Sequence, residues 1–201
     1  MASNWGANQL DMEVFELDFL SDEYQCLVFD GPECEPVFTS GGSLCFDGQT
    51  KLPWHSPPLR IYNPIAKKGD FLSLCPGCLV VRETAMEELR TEFEIAGELL
   101  PVQFSGEEGA ILNVTTVVNC LDHEQSDWLI SKDGVTKLRC RRAVFRRDLI
   151  PESTIFKVPE LPASIFAHTG HGDEEDSFPW KVESLGLTGL RLKSVWSDDD
   201  E

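Results

Sequence analysis

Positive charge is scarce in this chain of 201 residues. Lys and Arg number 17 against 35 Asp and Glu, a formal net charge of -18. Nucleic-acid binding needs cations that displace counterions from phosphates, so this balance opposes it. An anionic membrane surface is disfavoured for the same reason. No run of about eighteen apolar residues occurs, so no membrane-spanning helix is expected. The opening MASNWGANQLDMEVFELDFL has no basic segment followed by an apolar block, so no secretory signal is expected either. There is no repeat of fixed period.

What is present fits one large domain, or a main domain with an extension. Hydrophobic residues make up 41% of the chain, enough for a packed core. The acidic balance suits a basic protein partner, whose approach the field would accelerate; simple solubility explains it equally well. Seven cysteines, an odd number at irregular spacing, read as free thiols in a reducing cytoplasm.

The stretch Ala110 to Leu121, AILNVTTVVNCL, is the longest β-rich run. Leu112, Val114, Thr116, Val118 and Cys120 alternate with Asn113, Thr115, Val117 and Asn119, the pattern of a strand buried on one side. Leu99 to Phe104 precedes it as a second strand. Ser105 to Gly109 supplies the turn of a hairpin, with Glu107 and Glu108 projecting into water. Upstream, Thr84 and Glu87 form a capping-box pattern, and Ala85, Leu89 and Phe93 share a face that Met86 and Ala96 widen. The spacing predicts a helix over 85–96, with Glu92 on its outer side and Gly97 ending it.

In the N-terminal part, Phe15, Leu17 and Phe19 alternate with acids as a first strand. Further strands are predicted near Gln25 to Phe29, Pro36 to Thr39 and Leu59 to Tyr62. Pro and Gly punctuate residues 30–64 and break any long helix. In DFLSLCPGCLVV, Pro76-Gly77 marks a turn between two buried pieces. Cys75 and Cys78 admit three readings: half of a zinc site, a redox pair, or thiols on a buried turn. A structural zinc needs four ligands and there is no second CxxC, so the buried turn is favoured.

Residues 122–134 read as a polar loop. Asp122, His123, Glu124 and Asp127 admit a metal-assisted hydrolase, but no second motif completes such a site, and solvation is the simpler account. The only basic block, KLRCRRAVFRR at 137–147, reads as a strand with outward charges. Internal neutralisation is favoured over a nucleic-acid site. Near the C-terminus, Ser177 or Asp176 caps a short helix at about 178–185, with Pro179 in its first turn, Gly186 at its end, and Phe178, Val182 and Leu185 facing the core. Leu190 to Trp196 forms a last strand, and Ser197 to Glu201 an acidic frayed tail.

Together these readings give an α+β fold. A twisted, mostly antiparallel sheet carries the hairpin near its centre, one main amphipathic helix (about 85–96) and a short C-terminal helix (about 178–185). Residues 1–70 supply strands and loops on the same core or a small lobe, 71–196 the main domain, and 197–201 the tail.

Three segments in order, AILNVTTVVNCLDHEQS, LIPESTIFKVPEL and GLTGLRLKSVW, resemble a bacterial family of polymorphic-toxin immunity proteins, immunity family eleven, whose founding member is myxobacterial. CLVVRETAMEELRTEF matches the family's strand-then-helix lead-in. The resemblance spans about Leu79 to Trp196. It departs at Ala167 to Asp176, where an acidic loop and a shortened helix replace a longer helix, and the basic run after Lys137 is heavier. The resemblance implies a cytoplasmic protein that occludes a cognate toxin, with no catalytic residues to carry over. No cofactor or metal is called for. Analogy and electrostatics point to a basic toxin such as a nuclease domain, with Asp173, Glu174, Glu175 and Asp176 beside Trp180 as the candidate contact surface; simple solvation is the favoured account of that loop. The alternatives are the hydrolase using His123 and neighbouring acids, and a zinc-bound adaptor centred on Cys75 and Cys78.

Overall fold

The computed structural model describes residues 11–31, 46–50, 53–172 and 174–200. Among them twelve strands and three α-helices form an α+β fold. The predicted strand at Pro36 to Thr39 lies outside the described residues, as does Asp173.

A six-stranded sheet holds β2 (Leu27–Phe29), β3 (Leu59–Ile61), β4 (Phe71–Leu72), β5 (Leu79–Arg82), β6 (Gly97–Phe104) and β7 (Glu107–Val114), in the order β2-β3-β6-β7-β5-β4. All its pairings are antiparallel except β3 with β6. The β6–β7 hairpin is central, as its apolar content predicts. Its turn is shorter than expected. Phe104 pairs with Glu107, leaving only Ser105 and Gly106 in the loop, both at positive φ. That is the backbone hand of a type I′ turn, whose twist matches the strands it joins.

A second sheet contains β1 (Glu13–Phe19), β10 (Ile155–Phe156), β11 (Phe166–His168) and β12 (Leu190–Ser197), in the order β10-β11-β1-β12. The described N-terminal strands therefore belong to both main sheets. A register shift between Val14 and Phe15 changes the inward set of β1: Val14 and Leu17 are buried, while Phe15 and Phe19 are half-buried. A bulge accounts for the departure from simple alternation. A separate two-stranded ribbon pairs β8 (Asp127–Ile130) with β9 (Lys137–Arg142). Four residues of the predicted polar loop at 122–134 are thus strand.

Three apolar clusters set the layering. The first lies between the two main sheets and takes in the helices α1 (Glu83–Glu88), α2 (Arg90–Ala96) and α3 (Phe178–Ser184). The second, around Phe145, Phe156, Phe166 and Trp196, packs on the far side of the four-stranded sheet. The third, around Phe46, Val80, Phe104 and Ile111, backs the six-stranded sheet. β7 accordingly buries both faces: Ala110, Leu112 and Val114 join the first cluster and Ile111 the third, while Asn113 is also buried. The one-sided burial read from its alternation does not hold. The strand also stops at Val114, and Thr115 to Leu121 leaves the sheet with isolated bridges at Val117 and Leu121.

The predicted helix over 85–96 is two helices meeting at Leu89, whose φ of -114° and ψ of 18° interrupt the helical run. Ala85, Leu89, Phe93 and Ala96 are all buried, as the spacing requires. The capping box is not used: the cap position is Arg82, the last residue of β5, with no side-chain bond. Strand runs straight into helix, and Glu83 occupies the first turn, where a carboxylate meets the positive end of the peptide dipoles. Gly97 ends α2, but in extended backbone (φ 173°) rather than a left-handed cap. A Cβ there would collide with the Asn113 carbonyl, so close approach of β7 is what demands glycine. Glu92 also departs from expectation. It is buried and ion-paired with Lys181 of α3.

α3 follows its predicted design. Ser177 accepts the Trp180 N–H at 3.3 Å, and Pro179 occupies the first turn. Phe178 and Val182 are buried, and Phe178 meets Phe71 and Phe93 at 6.2 and 6.1 Å between ring centres. Leu185, expected inside, is exposed because the helix has ended at Ser184. Asp198 is tied down, pairing with Arg147 and accepting the Met12 N–H at 2.8 Å, so the acidic tail is anchored there.

Candidate partner-binding surface

Glu174 to Asp176 form a single 3-10 turn leading into α3, and all three are exposed. The Glu174 carbonyl accepts the Ser177 N–H at 2.9 Å, which fixes the turn against the helix start. Trp180, one turn into the sequence of α3, keeps 38% of its surface exposed. The structure therefore brings Glu174, Glu175, Asp176 and Trp180 to one corner.

That corner borders a cavity of about 240 Å³ that sequence reasoning missed. Glu92, Ile95, Glu152, Asp176 and Lys181 help to line it. Lys181 is committed to Glu92. Among the described residues, no cation lies in salt-bridge range of Glu152 or Asp176. Ile95, 61% exposed, adds an apolar wall. A cavity with two unneutralised carboxylates and an apolar wall suits a cationic side chain with an aliphatic stem. No sequence signal marks Glu152, because its place beside α2 and α3 depends on tertiary packing.

The β8–β9 ribbon is a second exposed feature. Trp128 and Cys140 pack against the second cluster. Val135 and Leu138 remain 82% and 59% exposed, and Leu129 and Ile130 are also exposed. Residues 127–142 hold five cations against two acids. The internal neutralisation expected for this block is local to Arg147, which pairs with Asp198. Among the described residues, no carboxylate is in salt-bridge range of Arg139, Arg141 or Arg142. Lys137 stacks over the Trp128 ring at 4.5 Å. Asp133 closes the hairpin loop: Ser131, Thr136 and backbone N–H groups donate to its carboxylate and hold its pKa far below the usual range.

Asp122, His123 and Glu124 line one cavity of about 500 Å³ together with Arg146, and Asp127 does not share it. Asp122 accepts the N–H groups of Gln125 and Glu124, each at 2.9 Å, which lowers its pKa. His123 Nε2 lies 2.9 Å from Glu160, and its Nδ1 lies 3.3 Å from the Lys137 ammonium. Asp127 lies opposite Arg142 in the backbone register of the ribbon, without a salt bridge to it. Among the described residues, the one group of three side chains close enough to share a metal is Asp11, Asp198 and Asp199. It includes neither these residues nor the Cys75–Cys78 pair.

A wider cavity, about 880 Å³, opens elsewhere, along β6 and α1, lined by Pro57, Met86, Arg90, Leu99, Pro101 and Glu108 among others. No helix of the described residues is long and apolar enough to cross a membrane. Comparison with family models and with curated proteins found no match.

Proposed function

We propose that this chain is an immunity-type inhibitor that neutralises a cognate bacterial toxin in the cytoplasm by stoichiometric occlusion, without catalysis. The observation that carries this reading is the corner at α3, where exposed Trp180 follows an acidic turn whose Asp176 lines a cavity with Glu152. Interfaces draw most of their energy from a few aromatic or cationic anchors ringed by polar groups. Here the indole is one anchor, and the cavity receives a Lys or Arg from the toxin. The overall charge of -18 would steer a basic toxin, such as a nuclease domain, toward this surface. The segment order that resembles immunity family eleven agrees with the reading.

A second reading rests on the ribbon. Val135 and Leu138 stand in water among cations, which suits an acidic partner surface docking there instead.

Titration calorimetry against the toxin domain encoded by the adjacent gene tests both. The first reading expects a one-to-one complex that abolishes toxin activity and is weakened by Trp180→Ala and by Glu152→Gln with Asp176→Asn. If only Val135→Ser and Leu138→Ser weaken it, the ribbon is the contact. Absence of any complex overturns the inhibitor reading.

A further inference from the structure

We infer that Cys75 and Cys78 form a reversible oxidation site, closing to a disulfide by exchange with a low-molecular-weight disulfide. The inference stands apart from partner binding and rests on the turn joining β4 to β5.

Cys75-Pro76-Gly77-Cys78 is a β-turn in which the Cys75 carbonyl accepts the Cys78 N–H at 3.4 Å. Proline precedes a glycine at φ +80°, the pattern of a type II turn. Such a turn holds its first and fourth Cα atoms within about 7 Å, inside the span that a disulfide bridges. The sulfurs are already 3.6 Å apart. Among the described cysteines, Cys26, Cys120 and Cys140 make no such sulfur contact with one another or with this pair.

The turn is held from beneath by Lys157. This side chain is only 1% exposed, and its ammonium donates to the carbonyls of Gly77, Phe46 and Pro162. A Cβ at Gly77 would come within 2.8 Å of the Pro162 oxygen and 2.9 Å of the Phe46 oxygen, so the turn has little room to relax. The two thiols are therefore kept in register before any oxidant arrives. They also differ in access: Cys75 is partly exposed and Cys78 is buried. That asymmetry assigns the roles of attacking and resolving sulfur.

The chemistry balances as two exchanges. The Cys75 thiolate attacks one sulfur of RS–SR; that S–S bond breaks, RS⁻ leaves, and the mixed disulfide Cys75–S–SR forms. The Cys78 thiolate then displaces the second RS⁻ and closes the Cys75–Cys78 bond. The two protons released by the cysteines pass through solvent to the leaving thiolates, giving two RSH. Two electrons move from the dithiol to the small disulfide.

The test uses the full-length reduced protein in glutathione buffers of rising disulfide content, followed by acid quench, alkylation and peptide mass mapping. The expected result is loss of two hydrogens from the peptide carrying Cys75 and Cys78, while Cys26, Cys120 and Cys140 still take the alkylating reagent, with reversal by dithiothreitol. Cys78→Ser should arrest at a glutathione adduct on Cys75. Cys75→Ser should leave Cys78 unmodified. Alkylation of both thiols across the whole range, a first disulfide mapping to another pair, or no adduct on Cys75 in the Cys78→Ser chain would each overturn the inference.

Discussion

Arg82 Nε sits 3.0 Å from Glu107 Oε2, joining the end of β5 to the start of β7. The same guanidinium donates to Gln25 Oε1 at 2.7 Å and to the Gly69 carbonyl. One arginine thus ties three chain segments to the edge of the hairpin. Glu107, expected in water, is drawn in, and Lys68 pairs with its other oxygen at 2.9 Å. Arg82→Met should destabilise the fold by about 2–4 kcal/mol, because three acceptors lose a charged donor. Glu107→Gln should cost about 1 kcal/mol. Urea unfolding monitored by tryptophan fluorescence measures both. The hydrogen bond from Lys68, followed by that from Arg82, holds the Glu107 carboxyl below its ordinary range against the opposing effect of burial. Its contribution is therefore present above that range and is lost as pH falls through the depressed value.

His168 supplies a second pH dependence. It is fully buried in β11, with Nε2 3.0 Å from the Ser153 carbonyl and Nδ1 accepting the Gly170 N–H at 3.0 Å. Those partners assign the neutral ring with its proton on Nε2. Burial lowers its pKa to about 4, while the unfolded chain titrates near 6.5. Between those values the unfolded state binds the extra proton, so stability is full above about pH 6.5 and falls toward pH 4, by about 3 kcal/mol at most. His168→Gln should flatten that part of a stability–pH curve measured by urea unfolding.

Gly97→Ala should be among the most damaging single-methyl changes in the chain. The methyl has no space against the Asn113 carbonyl, so β6 and β7 must separate or shift register at their paired ends, Gly97 and Val114. A loss of about 2–4 kcal/mol is expected, against gain or neutrality at a helix end with room for a side chain. Thermal melts of the variant check it.

Leu89→Ala should cost about 2–5 kcal/mol, since this fully buried side chain joins the first cluster at the junction of α1 and α2. Chemical denaturation should show a lower midpoint with an unchanged slope.

Trp180→Ala and Val135→Ser should leave stability within about 1 kcal/mol, because both side chains are substantially exposed. For the contact surface proposed at α3, Trp180→Ala should weaken toxin binding by about 30-fold or more. Calorimetry and melting of the same samples separate lost binding from lost fold.

Much of this architecture is legible in the residues. The β6–β7 hairpin follows from two β-rich runs around Ser105-Gly106, and α3 follows from Ser177, Pro179 and the spacing of Phe178 and Val182. Local rules act within a few residues, so these elements declare themselves. Two-sided burial of β7 does not, because it depends on the second sheet and the helices packing on one face and Phe46 on the other; the polar Asn113 hides it. Its amide donates at 2.8 Å to the Gln49 carbonyl and at 2.8 Å to Glu98, partners far from it in sequence. Glu92 looks like an outward charge until Lys181 is brought against it from 89 positions away. The corner at α3 divides the same way. The acidic turn and Trp180 are adjacent in sequence, but Glu152 and Ile95 arrive from other elements.

The pairing of β1 with β12 sets Glu13 opposite Ser197. Both neighbours of β1, β11 and β12, come from the last quarter of the described chain. During synthesis β1 emerges well before either of these partners. The six-stranded sheet, whose strands all lie before residue 115, can form first. Completion of the second sheet then waits on long-range closure, which is slow and leaves two open strand edges in the interval. Until that closure, the unpaired edges of β1 are the part of the fold most open to pairing with another chain.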